Sequence, residues 1–227
     1  MTDAHCHVPC GDPSVRELLV GRDFLGVHPW EALEECKVES VKCKVEEELR
    51  SKLLANPKAG VGEIGLDRLK VRDIPPLMRE VFESQLALAF ELSRPVVLHG
   101  AKCWGQVVTT VCRHLFHSPT PPLPHSPTPS FLFHGFSRSD GLIPEIVKLN
   151  GFISVGPAVL NDHAVNYREL VKKIPLDRLL VETDRTSSSA SPSVSDVLAK
   201  TADILNISSA ELERITDENA DRFLGVV

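Results

Sequence analysis

The chain has 227 residues, 42% apolar and 25% charged, the composition of a soluble globular protein long enough to bury one large core. Its formal charge of -6 excludes broad, charge-driven attachment to nucleic acid, which needs many Lys and Arg facing phosphates. A local phosphate site, or metal ions held among carboxylates, stays compatible with that charge. No apolar run of about eighteen residues is present, no basic-then-apolar leader opens the chain, and the six cysteines form no CxxC pair. The expectation is one domain over residues 1–227, in a reduced, cytoplasmic compartment and with no membrane partner.

Short apolar runs alternate with helical stripes. The first run, "DAHCHV" (3–8), puts Asp3, His5 and His7 on one face if extended, because residues two apart on a strand point the same way. "DFLGVH" (23–28) follows, then a helical stripe of Val41, Val45 and Leu49. "AGVGEIGL" (59–66) precedes a second stripe, Met78, Phe82, Leu86 and Ala89, and "RPVVLHG" (94–100) precedes a helix at 104–115. Residues 118–130, "SPTPPLPHSPTPS", hold six prolines, and "HSPTP" occurs twice, at 117–121 and 125–129. Such a stretch sustains neither a helix nor an inner strand, so it reads as an exposed, extended insertion or a segment for a partner that reads polyproline helices. The runs "FLFHGF" (131–136), "FISVG" (152–156) and "RLLVET" (178–183) then alternate with helices at 142–149 and 164–172, before helices at 194–205 and 209–224. Ser208 and Glu211 stand at capping-box spacing before the last of these. Strand and helix in alternation predict an α/β fold with a parallel sheet, here a TIM-like (β/α) barrel shortened to about seven strands.

Chemistry in such a barrel gathers at the strand ends. The polar residues there are His5, His7, His28, Glu63, His99, His134, Glu182 and Asp184, all imidazoles or carboxylates of the kind that bind borderline divalent ions. Any one of them alone is an ordinary core histidine, turn residue or cap. Together they would bury repeated polar groups in one mouth with no partner unless an ion is there. His114, His117, His125 and His163 fall on a helix end or in loops and read as surface residues, and no GxxxxGK[ST], GxGxxG or GxSxG motif occurs.

The blocks "DAHCH", "LGVHPW", "VGEIGLD", "FESQLALAFELSRPVVLH", "FLFHGFS", "FISVGPAV", "LLVETD" and "ITDENADRFLG" resemble, in order and from residue 3 to 225, the TatD-type metal-dependent hydrolases among the amidohydrolase-like barrels. The resemblance implies two divalent ions, Mg²⁺, Mn²⁺ or Zn²⁺. It makes His5 and His7 ligands of one ion, Glu63 a bridge to a second that His99 and His134 also hold, and Asp184 the residue that completes the first site and contacts the nucleophilic water. Asp184 and Glu63 are thereby the expected catalytic residues, and phosphodiester hydrolysis is the implied chemistry, with DNA as substrate and an exonuclease action. Asp3 reads as a supporting residue, and Asp67 as one that orients a loop or an imidazole.

Three departures from the family pattern matter. About fifteen residues separate His7 from "DFLGVHP", too few for the usual βα unit, so that unit is missing or replaced by an irregular stretch such as "RELLVG" (16–21). Where the family carries an Arg after the strand-four histidine and "ETDSP" at the last strand, this chain has "HGAKCW" and "ETDRTSSS". Lys102, Arg185 and His28 are therefore the substrate-phosphate candidates, although a lysine is a point charge and no substitute for a bidentate guanidinium. The proline-rich insertion is the third. Two other functions fit the composition: hydrolysis of a small ester, amide or phosphoester by the same metals, and a non-catalytic binding role for the proline-rich loop.

Overall fold

A computed structural model describes residues 1–35, 39–117, 128–187 and 192–226. The proline-rich segment up to residue 127, and the side chains of Val41 and Val45, lie outside the described set. Among the described residues there are eight short strands: β1 (Thr2–Cys6), β2 (Arg16–Leu19), β3 (Phe24–Leu25), β4 (Gly60–Asp67), β5 (Val96–Ala101), β6 (Phe131–Phe133), β7 (Gly151–Val155) and β8 (Leu179–Val181). The helices are α1 (Pro29–Glu35), α2 (Glu39–Ala55), α3 (Pro76–Glu91), α4 (Trp104–His117), α5 (Ile143–Lys148), α6 (Val165–Val171), α7 (Val194–Leu205) and α8 (Ser209–Leu224). No helix among the described residues is long and apolar enough to cross a membrane.

Strands β3 to β8 form one parallel sheet in chain order, and β1 pairs with β2 in a second. The run at 16–21 is the replacement for the missing βα unit: β2 pairs in parallel with β1, and the connection between them carries no helix. The two sheets meet at two thin seams. One is a single bridge between Val20 and Phe24; the other is a set of three backbone hydrogen bonds, Asp184 N–H to the His5 carbonyl at 3.0 Å and the His7 and Val8 N–H groups to the Arg185 carbonyl at 2.9 and 3.1 Å. The described strands thus follow a barrel's order without a continuous ladder around it.

Side-chain parity builds the interior in layers. Val97, Leu132, Phe152 and Leu180 point inward and meet Ala4, Leu18 and Phe24 in one apolar cluster with Ala220 and Phe223 of α8. Phe223 stacks on Phe24 with ring centroids 5.7 Å apart, and Asn219 Nδ2 donates to the carbonyls of Leu176 and Leu179 at the start of β8. Helix α8 therefore plugs the N-terminal mouth. Two residues further along the same segments stand His99, His134, Ser154 and Glu182. The polar layer of the opposite mouth is thus set by the period of two that seats the apolar layer beneath it.

Outside the strands, the α3 stripe of Met78, Phe82, Leu86 and Ala89 is buried in the main core, as its spacing predicts. Ser208 Oγ accepts from the Glu211 N–H at 3.2 Å, and α7 opens with a full capping box between Ser193 and Asp196. Gly65 lies at φ +148°, where a Cβ would stand 2.0 Å from the His99 carbonyl oxygen. Only glycine lets β4 approach β5 this closely beside His99.

Candidate metal centre

Glu63, on β4 and 3% exposed, is the hub of the upper mouth. Its Oε1 lies 2.5 Å from His99 Nδ1 and 2.6 Å from His134 Nε2. Its Oε2 faces His5 Nε2 at 3.4 Å and His7 Nε2 at 3.5 Å. Asp184, just past β8 and in a left-handed backbone conformation (φ +48°), brings Oδ1 within 3.7 Å of His5 Nε2 and 3.4 Å of His7 Nε2. Four strands, β4, β5, β6 and β8, thereby deliver one imidazole or carboxylate each within or just past the strand, and β1 delivers two through its HxH spacing.

The outer contacts decide which ring nitrogen faces inward. Asp67 Oδ2 accepts from His99 Nε2 at 2.8 Å, so the proton sits on Nε2 and the Nδ1 lone pair turns to Glu63. Glu182 lies 3.8 Å from His134 Nδ1 and is itself held by the Ser154 hydroxyl at 2.5 Å and the Gly135 N–H at 2.8 Å. This favours the His134 tautomer whose Nε2 lone pair points at Glu63. Asp3 is fully buried, and its two oxygens accept from the Thr183 N–H at 2.9 Å and hydroxyl at 2.6 Å. It ties β1 to the segment that carries Asp184, and burial raises its carboxyl to about 6 against the pull of those hydrogen bonds.

Lone pairs aimed at a carboxylate at such distances need positive charge between them. Burial pushes the Glu63 carboxyl up and the imidazoles down, but proximity overrides it: the His134 charge and the imidazole hydrogen bonds hold Glu63 well below the carboxylate range, while His99 and His134 rise. The Asp184 carboxylate likewise raises His7. Both ring nitrogens of His5, and Nδ1 of His134, are buried without a hydrogen-bond partner. Three overlapping donor sets, His5–His7–Asp184, His5–Glu63–His134 and His28–Glu63–His99, each converge within 4.8 Å. Mixed imidazole and carboxylate donors, orphaned nitrogens and a shared central carboxylate fit divalent cations. A fourth set, Asp3–Cys6–Glu17, does not need one, because Arg185 lies 2.6 Å from Glu17 and 3.9 Å from Asp3.

The substrate candidates separate in space. His28 stands at the centre's edge, with Nε2 3.7 Å from Glu63 Oε1, and burial lowers its imidazole to about 4. Its Nδ1 accepts from the Trp30 N–H at 3.2 Å, so the neutral ring carries its proton on Nε2, presents a donor to the mouth and, unlike the other imidazoles of the three sets, turns no free lone pair to a cation. Arg185 is committed internally: Nε donates to the Val8 carbonyl at 2.9 Å and the guanidinium pairs with Glu17, leaving the side chain 10% exposed. Lys102 is exposed and lines neither cavity beside the centre. Among the residues left without a role by the sequence are Ser154, Trp30, Lys70 and Arg138. Only the strand parity of Ser154 with Phe152 offered a signal.

Residues 22–225 match the family described as TatD related DNase. A Bacillus subtilis (strain 168) protein, "Uncharacterized metal-dependent hydrolase YabD", is 28% identical over 224 residues, which cover 92% of this chain and 81% of that protein. The "3'-5' ssDNA/RNA exonuclease TatD" of Pectobacterium atrosepticum is 30% identical over 160 residues, 70% of this chain but only 55% of that protein. The chain thus spans about half the length of that exonuclease. The crystal structure of YjjV, a TatD homologue from Escherichia coli K12, superposes with a TM-score of 0.73 at 25% identity over 96% of this chain and 79% of that one.

Proposed function

The chain belongs to the TatD related DNase family, and from that membership we propose that it hydrolyses phosphodiester bonds in DNA as a divalent-metal-dependent exonuclease. The observation that carries the reading is the convergence of four imidazoles on the two oxygens of Glu63, with Asp184 opposite. His5, His7 and Asp184 would hold one ion, and His99 and His134 the other, with Glu63 shared between them. When bound, such a pair supplies positive charge to phosphoryl oxygens and acidifies a water.

The protein's own groups do the rest. Asp184, whose side chain is 48% exposed beside the buried hub, is the carboxylate that takes the proton from the attacking water. Burial disfavours its charged form, but the neighbouring His7 keeps it below the usual range and so ionised at neutral pH. His28 directs its Nε2–H at a non-bridging oxygen of the scissile phosphate. Asp67 and Glu182 hold His99 and His134 in the tautomers that face Glu63. Water attacks phosphorus, the P–O bond to the leaving nucleotide breaks, and the leaving oxygen takes up a proton.

The test is digestion of 3′- and 5′-labelled single-stranded DNA with Mg²⁺, Mn²⁺ or chelator. Metal-dependent shortening is expected, with Glu63→Ala and Asp184→Asn each lowering kcat by about 10²- to 10⁴-fold. No shortening by a wild type that binds metal and hydrolyses a small phosphodiester would replace the nuclease reading with a small-molecule hydrolase.

A further inference from the structure

The centre opens on two cavities, and among the described residues the two linings share only Asp184. The first, about 820 Å³, holds His28, Trp30 and Lys70 along with the ligating residues. The second, about 960 Å³, is lined by Asp184, Glu182, Tyr167, Arg138 and His163 among others, and of these the mechanism above uses only Asp184 and Glu182. Building on the nuclease reading, we infer that this second cavity seats the nucleotide next to the scissile bond, with Arg138 gripping its phosphate.

Arg138 carries the inference. Its backbone sits at φ +58°, a left-handed conformation that costs a residue with a side chain of order 1 kcal/mol or more and that clusters at functional sites. Nothing local offsets that cost. The side chain is exposed and makes no ion pair or hydrogen bond among the described residues, while the nearest acid in sequence, Asp140, is taken by Lys173 at 2.5 Å. The buried acid of this cavity, Glu182, is occupied by Ser154 and Gly135. A free guanidinium at the rim of a cavity that begins at Asp184 is suited to bidentate capture of a phosphodiester.

The first cavity has its counterpart. Lys70 has no acidic partner among the described residues and rests its Nζ 3.6 Å from the centroid of the Trp30 ring. Among the described residues, one cation without an acidic partner therefore lines the cavity on either side of the centre.

The test compares wild type, Arg138→Gly and Arg138→Lys on a twenty-nucleotide single-stranded DNA and on bis(p-nitrophenyl) phosphate, a diester that carries no neighbouring nucleotide. Glycine accepts the backbone conformation, so the variant keeps its fold. The expected result for Arg138→Gly is a roughly tenfold higher KM for the oligonucleotide. Its kcat should hold, its salt dependence should be shallower by about 0.7 in log–log slope, and the preference for oligonucleotide over small diester should fall in proportion. Arg138→Lys should recover part of that preference. An oligonucleotide KM and salt slope equal to wild type would overturn the inference while leaving the nuclease reading intact. A wild type that cuts only the small diester would remove the nuclease reading and the inference together.

Discussion

At the residue scale the centre works by division of labour between groups that face inward and groups that aim them. Among the described residues Asp67 hydrogen-bonds to no imidazole but His99, yet it sets which nitrogen of His99 is free. Burial opposes its ionisation, and the hydrogen bond with His99 holds it below the usual range. Replacing Asp67 with Asn removes the charge while keeping the shape, and metal affinity should drop about 10- to 100-fold. Titration calorimetry with Mn²⁺ or Zn²⁺ measures this directly; an unchanged affinity would mean that Asp67 only shapes its loop. His5, His7, Glu63, His99, His134 and Asp184 were all legible as a group, because each stands within or just after a short apolar run. Arg185 and Lys102 were equally legible as cations but not in their use. Arg185 is spent on Glu17 and Val8, which precede it by 168 and 177 residues, and no local pattern announces such a pairing.

At the element scale, the polar mouth depends on the apolar layer beneath it. Phe223 of α8 is fully buried between Phe24 and Phe152, with ring centroids 5.7 and 6.0 Å away. Truncating Phe223 to Ala should cost about 3–5 kcal/mol, read from urea unfolding of the chelated protein. A cost below about 1 kcal/mol would show that α8 does not plug the lower mouth. Element boundaries were readable where the cause is local: α7 and α8 begin at Ser193 and Ser208, whose hydroxyls cap them. Strand β2 was harder. "RELL" has no strong alternation and no helix after it, and only its pairing with Thr2, Asp3 and Cys6 makes it a strand.

At the scale of the whole molecule, the centre couples folding to protons and to metal. In the metal-free protein Glu63 is lowered and His99 and His134 are raised, the ordinary values being about 4.3 and 6.5. The lowered acid contributes stability that is present above its ordinary value and lost as pH falls through the folded one. The raised imidazoles contribute stability that is present below theirs and lost as pH rises through the folded ones. The chelated protein should therefore melt at progressively lower temperature as pH climbs from mildly acidic to alkaline. Metal competes with those protons, so the gain in Tm on adding metal should grow over the same interval. At a hundredfold excess over Kd the gain is about 2.7 kcal/mol, roughly 5–10 °C for a chain of this size. Scanning calorimetry at several pH values, with and without chelator, checks both slopes, and a metal-induced gain independent of pH would contradict the proton competition.

From the sequence alone came the parallel α/β architecture, the stripe of α3, the cap of α8 and the identity of the residues at the strand ends. These follow from periods of 2 and 3.6 and from capping chemistry, which act between near neighbours. The tertiary structure decided what those residues face. The contacts of Glu63 with His99 and His134 span 36 and 71 residues, and those of Asp3 with Thr183 span 180. Tautomer, charge compensation and the sharing of Asp184 between two cavities arise only when chain segments this distant close on one another.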